Sequence, residues 1–375
     1  MTRIMCKLRF VRLLAQSLVL IALIAGSSCS RRTKEGFTVG AILPLTGDAA
    51  SYGQECRQGM DIAASEWAAR ISGLKVSYED SKADPKQAVS AFNKLVGVDR
   101  VDAIIGDMFS STTLAIAELA QQKGIVLLSP TAADERIPAT GDRISTIYPP
   151  ATQEGRFMAD ALDSSALSRV VVLYQNQTAT KAIADAFAAE VIKRGGSVLL
   201  AEAISEEKTV YRSVMDKVAA LNPSCIYLSA YRDPVALLIT QGRELGISAV
   251  YASQSTLYDA KALADYAGKL DGVLVSGPFF DENDVASDGA VAGFAKEYNR
   301  RHGRNPSVWA AYGYDSLNIL LQARDDATKA GQMLHQALPG KDWPGLTGTT
   351  AIAPDRSLEK QMVLYRIKDN RFIRE

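Results

Sequence analysis

Residues 104–133 read IIGDMFSSTTLAIAELAQQKGIVLLSPTAA, and this stretch decides the fold. Ile104-Ile105-Gly106 closes an apolar run, the hydroxyl cluster Ser110-Ser111-Thr112-Thr113 follows, and Leu114, Ile116, Leu119 and Ala120 then recur at helical spacing. Gly124 stops the helix, Ile125 to Leu128 makes a second short apolar run, and Ser129-Pro130-Thr131 breaks it. A strand, a helix and a strand in so short a length imply parallel strands, because the helix carries the chain back along the sheet. Both strand ends then bring small hydroxyl residues to one edge, where the free amides near Ser110 to Thr112 face an anion. Service of Ser110 or Ser111 as a plain helix N-cap accounts for the same hydroxyls. The rest of the chain has to separate the two.

The chain has 375 residues, 47% hydrophobic and 22% charged, which is ordinary globular composition and enough length for two domains. Lysine plus arginine and aspartate plus glutamate both number 42, so no basic excess points to nucleic acid. Specificity has to come from a built site.

The amino terminus has its own pattern. Arg3, Lys7, Arg9 and Arg12 precede an apolar run from Leu13 to Ala25 that is short for a bilayer span and ends at Gly26-Ser27-Ser28-Cys29, as an export signal does. Small residues before a cysteine resemble the lipobox of bacterial lipoproteins, with Gly26 where that pattern prefers leucine. Lipidation of Cys29 would anchor the mature chain to a membrane without spanning it, whereas ordinary signal cleavage would leave Cys29 incidental. Only Cys56 and Cys225 remain beyond this region, one in an early helix and one opening a distant strand. We expect no structural disulfide.

From Phe37 strands and helices alternate. Phe37 to Leu43 and Leu74 to Glu79 read as strands, with helices from about Tyr52 and from Asp84-Pro85, where proline occupies the first turn. The alternation pauses at Tyr148-Pro149-Pro150. A second series follows through strands at Val170 to Tyr174, Val198 to Ile204, Cys225 to Ala230, Ala249 to Ala252 and Gly272 to Ser276, ending in helices near 288–302 and 309–330 and a late strand at Gln361 to Ile367. Two β-α series imply an α/β fold of two doubly wound, Rossmann-like lobes, with a ligand where the carboxyl ends of their strands face each other.

Gly40-Ala41-Ile42-Leu43-Pro44-Leu45-Thr46-Gly47, Tyr52-Gly53, Glu79-Asp80, Asp84-Pro85, Ile105-Gly106, Ser110 to Thr113, Leu128 to Ala133, Gln241 to Gly246 and Ala311-Tyr312-Gly313-Tyr314-Asp315 stand in order along the chain. As a set they resemble the type I periplasmic binding proteins, most closely the leucine/isoleucine/valine-binding branch of ABC importers. The resemblance implies two lobes joined by three crossovers, near Tyr148 to Gln153, Gly277 to Phe280 and Leu358 to Met362, which close on a ligand by hinge motion. On it we expect a signal peptide at 1–28, a tether at 29–36, one lobe from 37–150 plus 279–358 and the other from 151–278 plus 359–375.

The resemblance also implies site residues. Ser110 matches the serine that holds a ligand carboxylate, Thr131 gives a backbone carbonyl to the ligand amine, and Tyr52 and Tyr231 line the cleft. The family's amine-binding side chains are missing: Ala133 replaces a threonine, Ala151 an aspartate, Ala179-Thr180 a Tyr-Gly pair and Ser255 a glutamate. An ammonium without a carboxylate partner is costly to bury. We therefore expect a ligand with an anionic or polar end read by Ser110, Ser111 and the Thr131, Ala132 and Ala133 backbone, and not a free α-amino acid. Tyr52, Tyr231 and Tyr148 would contact its body, with Gln175, Gln254 and Ser255 as further polar contacts.

No GxSxG, GxxxxGK[ST] or HExxH motif is present, so no enzymatic activity and no cofactor or metal is expected. His302 and His335 are expected to face solvent, and the acidic groups Asp80-Asp84 and Asp281-Glu282-Asp284 to be solvated turns. The expected partners are a small-molecule ligand, ABC permease subunits and a membrane reached through Cys29, with the chain exported and monomeric. The alternative is a lipoprotein scaffold or regulator that uses the same fold to bind a cell-envelope protein.

Overall fold

The computed structural model describes residues 36–204, 211–280 and 289–375. Thr38–Leu43 (β1), Lys75–Asp80 (β2), Ala103–Gly106 (β3), Val126–Ser129 (β4) and Ile144–Thr146 (β5) form one parallel sheet in the order β2-β1-β3-β4-β5. Helices Ala50–Trp67 (α1), Pro85–Lys94 (α2) and Ser110–Lys123 (α3) connect its strands. Alternate residues of each strand serve opposite faces: Val39, Ala41 and Leu43 join one apolar cluster, while Ile42, Ile104 and Leu127 join the other. The stretch 104–133 folds as the strand, helix and strand expected of it.

The chain then crosses into Ala151–Ala161 (α4) and a second sheet built from Val170–Gln175 (β6), Val198–Ile204 (β7), Cys225–Ser229 (β8), Val250–Ser253 (β9) and Leu274–Pro278 (β10). Helices Thr178–Lys193 (α5), Arg212–Leu221 (α6) and Arg232–Glu244 (α7) link them. It returns through Ala290–His302 (α8) and Val308–Ala330 (α9) and a small antiparallel sheet of Lys341–Trp343 (β11), Thr350–Ile352 (β12) and Leu358–Glu359 (β13). A last crossing adds Met362–Lys368 (β14) antiparallel to β10 and Arg371–Arg374 (β15) antiparallel to β14, which completes the order β15-β14-β10-β9-β8-β6-β7.

Helix α9 lies against α1 at backbone distance. A Cβ added at Gly59 would stand 1.8 Å from the Ala310 carbonyl oxygen, and one at Gly313 would stand 2.0 Å from that of Cys56. Glycine is required here for close approach rather than for backbone freedom. Cys56 and Cys225 are free and buried in different sheets' layers.

The first and third crossovers are tied together by Lys360. Gln153 Nε2 donates to the Lys360 carbonyl at 2.7 Å, and Lys360 Nζ donates to the Ile147 carbonyl at 3.3 Å and to Thr347 Oγ1. Asp315 on α9 accepts from the Leu346 and Thr347 amides and the Thr347 hydroxyl. Both charges are buried, and burial pulls the Lys360 ammonium down to about 8 and pushes the Asp315 carboxyl up.

Three expectations need correction or completion. Strand β5 lies just ahead of the pause at Tyr148-Pro149-Pro150, and it, β11 to β13 and β15 were not foreseen. His335 is buried rather than solvent-facing: its ring lies 3.0 Å from an Arg143 guanidinium nitrogen and 3.4 Å from Asp142. His302 packs on the Tyr298 ring with centroids 4.6 Å apart. The expected signal and tether, Cys29 and the Asp281-Glu282-Asp284 turn lie outside the described residues, apart from Gly36.

Candidate functional site

In each sheet the strand order reverses beside the first strand, between β1 and β3 and between β6 and β8. The loops that leave the carboxyl ends of these strands meet in one cavity. From the first lobe come Tyr52 after β1, Met108, Phe109 and Ser110 after β3, and Thr131 and Ala133 after β4. From the second come Ala179, Thr180 and Ile183 after β6, Tyr231 after β8, and Gln254, Ser255 and Thr256 after β9. Tyr148 and Glu154 flank the first crossover, and Trp309 opens α9. Water centres have about 60 Å³ between these walls, room for a handful of waters at ~10–15 Å³ each. A small solute suits that space.

Helix α3 begins at Ser110, and its N-cap position is Phe109, in extended conformation and with no side-chain cap. The plain-cap reading of Ser110 and Ser111 is therefore not what the structure contains. The first-turn amides have no partner within the helix. The Ser110 hydroxyl accepts from the Ala133 amide at 3.2 Å, which ties the β3 and β4 loops together at the cavity wall. Thr131 Oγ1 donates to the Met108 carbonyl at 2.8 Å and strengthens the same junction.

Aromatic rings close the cleft from both lobes. Phe109 meets Tyr231 edge to face at 5.6 Å and Tyr52 at 6.4 Å, and Tyr52 meets Trp309 at 5.2 Å. The Tyr148 hydroxyl is hydrogen-bonded to Ser255 Oγ. Gln254 lines the wall but spends its amide on the protein, accepting from Ser229 Oγ at 2.7 Å and donating to the Ala230 carbonyl at 3.2 Å and Thr256 Oγ1 at 3.1 Å.

Three sequence-derived candidates do not reach the cavity wall. Ser111 is one helical step, about 100°, round from Ser110. Ala132 packs into the opposite apolar layer with Ile104 and Leu127. Gln175 turns to accept the Tyr231 amide at 2.6 Å, which fixes the start of α7. Conversely, Phe109, Trp309 and Glu154 were missed.

Glu154 changes the charge of the wall. It is 1% exposed, and its Oε1 accepts from the Ser255 amide and the Ser276 hydroxyl, both at 2.6 Å. Burial holds this carboxyl above its usual range against those hydrogen bonds. Behind the Ser110 loop, burial pushes the Asp107 carboxyl up to about 6. Among the described residues no cluster of three or more metal-ligating side chains occurs.

The family described as periplasmic binding protein matches residues 36–371. The chain belongs to that family. As the sequence resemblance implied, its relatives include type I members named for branched-chain amino acid binding and transport. An amino acid binding protein of Pseudomonas aeruginosa is 24% identical over 341 residues, spanning 86% of this chain and 88% of its own. The crystal structure of a leucine binding protein, LivK, from Thermotoga maritima superposes with a TM-score of 0.81 at 21% identity, covering 90% of this chain and 97% of that one. A solute binding protein of Rhodopseudomonas palustris in complex with benzoate gives 0.80 at 19% identity, covering 90% and 95%. At such identities the structures establish the fold alone. Periplasmic binding proteins of this kind are solute-binding proteins rather than enzymes, and they deliver small molecules to ABC permeases. Among the described residues no helix is long and apolar enough to cross a membrane.

Proposed function

We propose that this periplasmic binding protein captures a small solute bearing a carboxylate, which the amino end of α3 and the Ser110 loop hold while the aromatic rings enclose its body. What supports the reading is the α3 terminus, whose N-cap residue Phe109 makes no side-chain cap, opening with Ser110 into a cavity walled by both lobes. The expectation against a free α-amino acid rested on missing side chains at Ala133, Ala151, Ala179-Thr180 and Ser255. Glu154 returns a carboxylate to the wall, one turn along α4 from Ala151, so an amine on the ligand is no longer disfavoured by charge.

The lobes, 37–150 plus 279–358 and 151–278 plus 359–375, are proposed to close about the three crossovers, with the chain exported, monomeric and held to a membrane by lipid on Cys29. A scaffold role would require no ligand-sized cavity, and no observation favours it.

A thermal-shift screen of the mature, unlipidated protein against amino acids, aromatic and aliphatic carboxylates and amides tests the proposal. A ligand at 100 times its Kd should add about 2.7 kcal/mol of stability, and Ser110→Ala should remove most of that gain. A panel without response, or a response untouched by Ser110→Ala, contradicts the proposal.

A further inference from the structure

Among the described residues lining the cavity, Glu154 is the one that can carry a full charge at neutral pH; the others are hydroxyl, amide, thioether, aromatic or aliphatic. It sits on α4 beside the first crossover, out of the solvent. Two donors converge on its Oε1, as they do on an ionised carboxylate. The titratable groups that act on it from neighbouring elements are the phenols of Tyr148, Tyr227 and Tyr312, all neutral. Among the described residues no lysine, arginine or histidine pairs with it.

A carboxylate enclosed without a cation is expensive. Closure on a plain acid would set the ligand's negative charge beside Glu154 or drive Glu154 to take up a proton. A protonated nitrogen on the ligand relieves both penalties, because it neutralises Glu154 while the ligand carboxylate stays at α3. Glu154 stands on α4 beside the first crossover, while strand-end loops line most of the wall, and hinge closure there would bring it against the solute.

We infer that Glu154 is a specificity-determining residue of the cleft, accepting a hydrogen bond from a protonated nitrogen of the solute, so that amine-bearing carboxylates are preferred over plain acids. This deepens the solute-receptor reading and depends on it.

Isothermal titration with matched pairs tests the assignment: leucine with 4-methylpentanoate, phenylalanine with 3-phenylpropanoate, and 4-(aminomethyl)benzoate with 4-methylbenzoate. In a pair that binds, the amine-bearing member should be tighter by about 30-fold or more, the scale of a buried charge pair. Glu154→Gln, which keeps the shape and an acceptor for Ser255 and Ser276, should erase that preference and leave the plain acid equal or improved. A second readout needs no variant. In buffers of different ionisation heat between about pH 5 and 8, a nitrogen cation beside Glu154 should expel its proton, whereas a plain carboxylate should draw one in. Plain acids that bind as tightly as their amine partners overturn the assignment, as does an amine preference that survives Glu154→Gln or proton uptake with both members. If plain acids bind through Ser110 with no gain from the amine, only the Glu154 assignment falls. If no member of any pair binds, the receptor reading falls with it.

Discussion

Replacing Lys360 by methionine probes the hinge. Lys360 is 3% exposed, and burial pulls its ammonium from an ordinary 10.5 down to about 8, against the attraction of Asp315. Between those two values the unfolded chain keeps the proton that the folded chain has released, so wild-type stability rises as pH climbs through that window. Below it the full cost is present, about 3 kcal/mol at 1.36 kcal/mol per pH unit. Lys360→Met has no such titration. Urea unfolding at intervals from about pH 7.5 to 10.5 should therefore show the wild type gaining about 3 kcal/mol on the variant. At the low end the single variant should itself be less stable by roughly 3–5 kcal/mol, because Asp315 loses its cation. Adding Asp315→Asn should recover most of that loss. A stability difference that stays flat with pH would refute the account of Lys360 as a buried, charged tie between the first and third crossovers.

Two further outcomes follow from burial and packing. Asp107, pushed up to about 6, holds its proton in the folded state where the unfolded chain has lost it; its stabilising contribution, about 3 kcal/mol, is complete below pH 4 and disappears as pH rises through 6. Asp107→Asn should remove that decline, read as the difference in urea midpoints between the two proteins across the window. Gly313→Ala would drive a methyl group to 2.0 Å from the Cys56 carbonyl oxygen and part α1 from α9. We expect a loss of roughly 1–3 kcal/mol, read as a lower melting temperature, while Gly293→Ala, with open space around it, should cost far less.

The strands and helices of both lobes were legible because parallel sheets covered on two faces write their strands as short apolar runs and their stops as glycine and proline. Ile104-Ile105-Gly106 and Ile125 to Leu128 are such runs, and β3 and β4 follow them closely. The short edge elements were not legible: β5 has only three residues and β11 to β13 pair over two or three each, too few for a period to show. At the site, Tyr52, Ser110, Thr131, Ala133, Tyr148, Tyr231, Gln254 and Ser255 line one cavity. Ser111 and Gln175 lie off the cavity wall for a reason of direction: neighbours in sequence point to different sides of a helix or loop, and spacing to the site does not reveal which. Glu154 did leave a signal. It stands with Ala151, Gly155 and Met158 on the buried face of α4, at helical spacing, and an acidic residue among buried apolar positions is rarely idle.

The central claim is closure of two lobes on a solute. Spin labels at Lys261→Cys and Asn305→Cys, in a chain with Cys29 replaced by serine, would flank the outer cleft between the lobes, where both residues are exposed, while Cys56 and Cys225 are buried and spared from labelling. The distance distribution between the labels, taken with and without a solute that raises the melting temperature, tests closure directly. We predict a broad, longer distribution without solute that narrows and shortens on saturation, and no such change with Ser110→Ala at the same solute concentration. A distribution that saturating solute leaves unaltered would contradict hinge closure as the mechanism.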